Sequence, residues 1–203
     1  MTIAPRSKEA FESMRQTTRQ KIEIAALSLF ARKGLSVKVG EIAEAAGISQ
    51  GLMYSHYPSK DALIAELVRQ ATSMSSGYTA AWVGECETVA DKIRNISVMM
   101  CGMFAQFPIG IDYFMFMTQV GMSDFQMPEE SWYSEKNPNP AEILAKLIVQ
   151  GQQEGSVVSG DPLQLSSVYY AVIQGLCCYI ITGMPMSPQP EMLNRILLKE
   201  NFL

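Results

Sequence analysis

The chain has 203 residues, of which 48% are hydrophobic and 18% charged, with a formal net charge of −4. That length allows one large or two small domains, and the apolar content is ample for a core. Charge is divided unevenly: residues 1–70 hold ten Lys/Arg against seven Asp/Glu, a balance of +3, and residues 71–203 hold six against thirteen, a balance of −7. The acidic total therefore does not exclude a nucleic-acid surface in the first part of the chain. No stretch resembles a signal peptide, so a cytoplasmic location is expected. The four cysteines, Cys86, Cys101, Cys177 and Cys178, have no C-x-x-C spacing and no neighbouring histidine. They read as buried thiols of a reducing compartment, with a redox or metal-sensing role for the vicinal pair as the lesser alternative.

Taken in chain order, residues 1–16 have no long apolar segment and read as a short arm or a first turn. Ile22, Ala25, Ala26, Leu29 and Phe30 then follow the i, i+3, i+4, i+7, i+8 template of an amphipathic helix. Thr17 or Thr18 would cap its start, Arg32 and Lys33 suit its C-terminal dipole, and Gly34 stops it. Val39, Ile42, Ala43 and Ala46 mark a second short helix. Gly47 can take the left-handed conformation that ends it, Ile48 plugs the turn, and Ser49 caps the helix that follows, with Met53 as inward anchor. A small residue, a glycine, an apolar turn residue and a distant apolar anchor make up a helix-turn-helix.

From Ser49 to Tyr57 the third helix carries no carboxylate, as suits a surface that approaches phosphates. Gly51 in its first turn costs up to about 1 kcal/mol relative to alanine, which makes sense where the backbone approaches something closely. Gln50 matches the edges of adenine or guanine. Tyr54, His56 and Tyr57 are rigid groups with polar tips, suited to phosphates or thymine methyls. His56 is the only histidine, and with no cysteine near it in sequence no metal site is expected. Pro58 and Ser59 open the next helix, where Lys60 in the first turn reads as a phosphate clamp, despite opposing the helix dipole.

Residues 17–64, with the runs IEIAALSLFARKGL and IAEAAGISQGLMYSHYPSKDAL, resemble the DNA-binding domain of the TetR family of bacterial repressors. The resemblance implies that Ser49, Gln50, Gly51, Tyr54, Ser55, His56 and Lys60 fall where such proteins touch DNA. Gln50 stands where a lysine is common. Lys38 stands where a threonine or serine usually opens the first helix of the motif, and its charge could replace the lost phosphate contact.

After residue 70 helices are expected over roughly 60–82, 86–106, 109–123, 141–154, 163–182 and 189–200. They are separated by Pro108 and Gly110, the Pro128 to Pro140 loop, Gly155 to Pro162, and Gly183 to Pro190. Asn139-Pro140 and Asp161-Pro162 are caps with proline at the first helical position. The expected class is all-α: a helix-turn-helix domain over 1–60 and a helical ligand-binding and dimerisation domain over 61–203. Between Met99 and Met127 lie seven of the fourteen methionines and five of the eight phenylalanines, with Asp112 and Asp124 the only charges. This reads mainly as core. An adaptable, mostly apolar cavity is expected within it, walled by Met103, Phe104, Phe107, Phe114, Met117 and Val120, with polar contacts from Asp112, Tyr113, Gln119 or Gln174. Val168 to Met186 is nearly uncharged and as long as a membrane span. Its small residues and lack of a basic flank point instead to a protein interface. With Met192, Leu193, Ile196 and Leu197 it would form a two-helix face that pairs with a twofold mate.

No nucleophile–base set and no metal-ligand cluster emerges, so no enzyme, no catalytic residue, no metal and no cofactor is expected. The function expected is a homodimeric, ligand-responsive regulator of double-stranded operator DNA. By the resemblance it is a repressor released by a small, mostly apolar effector. The alternative is a DNA-binding regulator whose C-terminal domain only dimerises or docks a protein partner.

Overall fold

The computed structural model describes residues 8–84, 86–106, 108–126 and 139–202, with side chains described except at 8, 75–84, 104–106 and 108. Its elements are α1 (Lys8–Lys33), α2 (Val39–Ala45), α3 (Gln50–His56), α4 (Lys60–Gly84), α5 (Val89–Gln106), α6 (Pro108–Gly121), α7 (Pro140–Glu154), α8 (Pro162–Ile181) and α9 (Pro190–Leu197). A 3-10 turn follows at Glu200–Phe202. The expected all-α class holds; among the described residues, extended pairing is limited to one antiparallel bridge, Val157 to Leu198. The expected Pro128 to Pro140 loop lies largely outside the described residues.

The first helix departs from expectation. It is already helical at Lys8, and the threonines expected to cap it lie well inside it. Their hydroxyls donate to the carbonyls four residues back, Thr17 to Ser13 at 3.0 Å and Thr18 to Met14 at 2.9 Å. No proline or glycine lies between Lys8 and Lys33, so nothing stops the helix from running back toward the N-terminus.

The other boundaries follow local chemistry. Gly47 sits at φ +67°. Its N–H donates to Glu44 O at 3.0 Å and that of Ile48 to Ala43 O at 2.9 Å, the paired bonds that close a helix with a left-handed residue. Ser49 Oγ accepts from Leu52 N–H at 3.2 Å and so caps α3. Asn139 caps α7 through Ala141 N–H at 2.9 Å, and Asp161 caps α8 through Gln164 N–H at 2.8 Å. The C-terminal segment is tied down as Val158 N–H donates to Leu197 O at 2.9 Å and Arg94 Nη2 to Phe202 O at 2.6 Å.

Two cores result. The first holds Ile22, Leu27, Phe30, Ile42, Met53, Leu63 and Leu67, closed by Phe116 and Val120 of α6. The second gathers residues of α5 to α9, among them Ile93, Leu144, Ile148, Tyr169, Ile173 and Leu197. The expected division at residue 60 thus falls at the start of α4, a helix whose Leu63, Ile64, Leu67 and Val68 are all buried in the first core. Phe30 of α1 stacks on Phe116 of α6 with ring centroids 5.9 Å apart, so the second part of the chain is seated directly on the first.

Candidate nucleic-acid interface

The geometry of α2 and α3 decides which side chains face outward. Met53 is fully buried and fixes the rotation of α3 about its axis. Ser49, Gln50, Gly51, Leu52, Tyr54 and Ser55 are then exposed and form one continuous surface. No carboxylate belongs to α3. A methyl group added to Gly51 would meet nothing within 4 Å, so this glycine is not demanded by packing within the chain. Gln50 reaches back across the turn: a methyl group on Gly40 would come within 2.5 Å of its Nε2, which puts the carboxamide over the first turn of α2.

Lys38 is exposed at the start of α2, where its N–H donates to Glu41 Oε2 at 3.0 Å. Glu41 also accepts from Lys33 Nζ at 3.1 Å. The backbone bond from Lys38, and then Lys33, hold this carboxyl below the ordinary range, so Glu41 is anionic and committed locally.

Two expected contacts are corrected. Tyr57 points inward with 3% of its surface exposed, and its hydroxyl donates to Glu23 Oε1. Burial, with the Glu23 bond next, pushes its phenol up, so it is a neutral core residue beneath α3. Tyr57 caps α3 with extended backbone, its N–H donating to Met53 O at 3.0 Å, and so its ring follows buried Met53 onto the inner side. Lys60 also turns inward. Its ammonium donates to Leu35 O at 2.7 Å and to Val37 O at 3.3 Å, closing the link between α1 and α2. Two of its three donors are spent on those carbonyls, which have no helical partner of their own.

His56 is half-buried. Desolvation first, then the positive charges of Arg15 and Arg19, lower its pKa and keep it neutral at pH 7. Arg19 belongs to a network that sequence reading missed. It bonds Glu23 at 3.0 Å and Glu66 at 3.3 Å, and its guanidinium lies 5.1 Å from the Tyr57 ring centroid. Glu66 also accepts from Arg69 at 2.6 Å and Gln70 at 3.0 Å, and Tyr113 donates to Gln70 Oε1 at 2.8 Å. The i, i+4 spacing of Arg19 and Glu23 and the i, i+3 and i, i+4 spacings of Glu66 with Arg69 and Gln70 are the local signals of it; the bonds from Arg19 to Glu66 and from Tyr113 to Gln70 have none.

The expected ligand-cavity residues fall into three groups. Asp112, Tyr113, Met117, Gln119 and Val120 belong to the contact of α6 with α1 and α4. Arg32 Nη1 reaches Asp112 Oδ1 at 2.9 Å, Val120 is buried in the first core with Tyr113 and Met117 packed against it, and Gln119 lies over Gly34. They fill the joint because α6 places residues four apart on the face that covers Phe30. Met103 and Phe114 pack against the second core, Met103 tightly over Gly110. Gln174 is half-buried on α8. Phe107 and the side chain of Phe104 lie outside the described residues.

The expected dimer face is corrected in part. Leu193 and Leu197 of α9 are buried in the chain's own second core and Ile196 packs against it, leaving Met192 outward. Along α8, Leu163, Val168, Val172 and Tyr179 remain exposed. By length and composition alone this helix is apolar enough to cross a membrane, while Tyr169, Ile173 and Cys177 on its inner side are buried in the second core.

Residues 24–67 match the family model of bacterial regulatory proteins of the tetR family. The chain is 45% identical over 53 residues to the HTH-type transcriptional regulator AcrR of Shigella flexneri, covering 26% of this chain and 25% of that protein. It is 25% identical over 139 residues to the HTH-type transcriptional repressor KstR2 of Mycobacterium tuberculosis, covering 66% of each. The matches thus span about a quarter of the first relative and just under two thirds of the second. The fold resembles that of the ketosteroid transcriptional regulator KstR2 of Mycobacterium tuberculosis with a TM-score of 0.72 at 19% identity, over 90% of this chain and 95% of that one. The helix-turn-helix of α2 and α3 lies within the stretch that matches the tetR family of bacterial regulatory proteins.

Proposed function

We propose that this protein is a ligand-responsive, DNA-binding transcriptional regulator that reads a palindromic operator as a homodimer. The observation that carries the reading is the outward face of α3: Ser49, Gln50, Gly51, Tyr54 and Ser55 exposed together, with no carboxylate on the helix. Lys38 flanks that face and supplies a phosphate contact; half-buried His56 closes its far end. Gly51 lets the backbone approach base edges closely, and Gln50 swings off Gly40 to offer its amide to a base. One seven-residue helix reads too little sequence by itself. A twofold mate, paired through the uncharged outer face of α8 and the exposed Met192 of α9, supplies a second reader about one helical turn away, roughly 34–36 Å.

Regulation follows from the seating of α6 on α1. An effector that shifts α6 moves Phe116 against Phe30 and changes the separation of the two readers. DNA affinity then falls by the difference in effector binding between the two states. A small, mostly apolar effector fits the methionine- and phenylalanine-rich α5 and α6, with Met103, Phe114 and Gln174 as wall residues on the side away from α1. The Mycobacterium tuberculosis relative is named a ketosteroid regulator, an apolar class in keeping with this wall. Release from DNA on effector binding makes the protein a repressor.

A second reading, in which the C-terminal part only dimerises or docks a partner, is favoured by one observation. Ser97 and Tyr169 meet at 2.9 Å in the middle of the second core, both fully buried, which fills the space between α5 and α8.

Selection of bound sites from a random duplex pool tests the main reading. It should return a palindrome whose affinity falls steeply with salt. No enriched site and a shallow salt dependence would sink it. Gly51→Leu should abolish binding without lowering the melting temperature. Apolar and cationic compounds should raise that temperature; a broad screen without a single shift would leave the second reading.

A further inference from the structure

The first three turns of α1 bury nothing: residues 9–17 are all exposed. A helical stretch with no core contact usually frays, yet here it carries apolar side chains on one face. Phe11, Met14, Arg15 and Thr18 follow the i, i+3, i+4, i+7 spacing, and Phe11 and Met14 are 60% and 42% exposed. Opposite this face stand Leu52, Ser55 and His56 of the recognition helix. Between the two walls runs a cleft of about 350 Å³. An adjoining hollow is lined by Glu12, Arg15, Gln16, Arg19 and His56, so Arg15 and His56 border both.

Charge distinguishes the two arginines. Arg19 is committed to Glu23 and Glu66, whereas Arg15 makes no salt bridge among the described residues. Glu12 borders only the adjoining hollow, and no carboxylate lines the larger cleft. A cleft with an available cation, apolar walls and no acid suits a polyanion backed by apolar sugar faces. It is also continuous with α3, since Leu52 and Ser55 lie both on its wall and on the outward face of the reader.

We propose that the α1 segment Phe11–Arg15 is a second DNA-contacting wall, resting on the reading of α3 as the recognition helix. Arg15 binds a backbone phosphate beside the groove that α3 enters, and Phe11 and Met14 pack on the adjacent deoxyribose edge. The segment contributes affinity and register rather than base choice.

The test uses the full chain, fluorescence anisotropy, and two duplexes of equal length: the operator recovered by selection and a mixed-sequence control. Arg15→Ala should weaken binding to both by roughly threefold to tenfold and reduce the salt slope by about 0.9 per protomer. Arg15→Lys should restore the slope. Phe11→Ala should weaken binding with the slope unchanged. Both side chains are exposed, so melting temperatures should stay at the wild-type value. Wild-type affinity and slope in Arg15→Ala and Phe11→Ala, with binding still lost in Gly51→Leu, would overturn this wall alone and leave the cleft to some other occupant. A wild-type chain that binds neither duplex would overturn the DNA-binding reading together with it.

Discussion

Arg32 of α1 and Asp112 of α6 meet at 2.9 Å across the joint between the two halves of the protein. The partners are unequal: the Asp112 side chain is 15% exposed and that of Arg32 45%. Arg32 has a further bond to Ser28 Oγ at 2.6 Å and keeps access to water. Burial pushes the Asp112 carboxyl up, and Arg32 offsets only part of that shift.

The sign of that shift gives a prediction for stability. The folded state holds the Asp112 proton to higher pH than the unfolded chain does. This contribution is therefore fully present at low pH and is lost as pH rises through the folded value. Asp112→Asn should match or exceed the wild-type melting temperature at pH 7, with the difference shrinking toward pH 4. A variant that melts well below wild type at pH 7 would mean that the ion pair outweighs its desolvation.

Tyr57 offers a second test beneath the recognition helix. Tyr57→Phe keeps the ring under Arg19 but removes the hydroxyl bonded to Glu23. Loss of one bond to a charged partner should cost about 1.5–3 kcal/mol. For a chain of this size that lowers the melting temperature by roughly 2–4 °C per kcal/mol. An unchanged melting curve would show that Glu23 is satisfied by Arg19 alone.

Gly47 isolates a backbone effect. An added methyl would meet no atom within 4 Å, so only the φ of +67° resists substitution. Gly47→Ala should destabilise by about 1–2 kcal/mol, and Gly47→Asn by less, because asparagine tolerates the left-handed region. Chemical denaturation of the three proteins checks the order.

The outer face of α8 tests the assembly. Val168 and Val172 are 52% and 40% exposed and lie four residues apart. Val168→Glu with Val172→Glu should turn a dimer into a monomer in sedimentation equilibrium while leaving helix content unchanged. Operator affinity should fall with it, since each protomer then binds alone. A double variant that stays dimeric would move the seam elsewhere.

Much of this architecture was legible because its signals are local. The boundaries of α2, α3, α7 and α8 rest on Gly47, Ser49, Asn139 and Asp161, whose turns and caps need no distant partner. What periodicity could not resolve was the assignment of apolar faces. Tyr57 looked like an outward ring with a polar tip, but Glu23, far off in sequence, turns it inward. Val120 and Met117 looked like cavity walls, but Phe30 and the rest of α1 claim them.

The helical class, the helix-turn-helix and the carboxylate-free face of α3 are read directly from the residues, because they depend on spacing, capping and charge within a few turns. Packing between distant segments sent Lys60 to the carbonyls of Leu35 and Val37. It alone seated α6 on α1 and brought Phe11 and Arg15 beside Leu52 and His56. Those outcomes depend on which surfaces pack together, and packing chooses among faces that are equally apolar in the sequence.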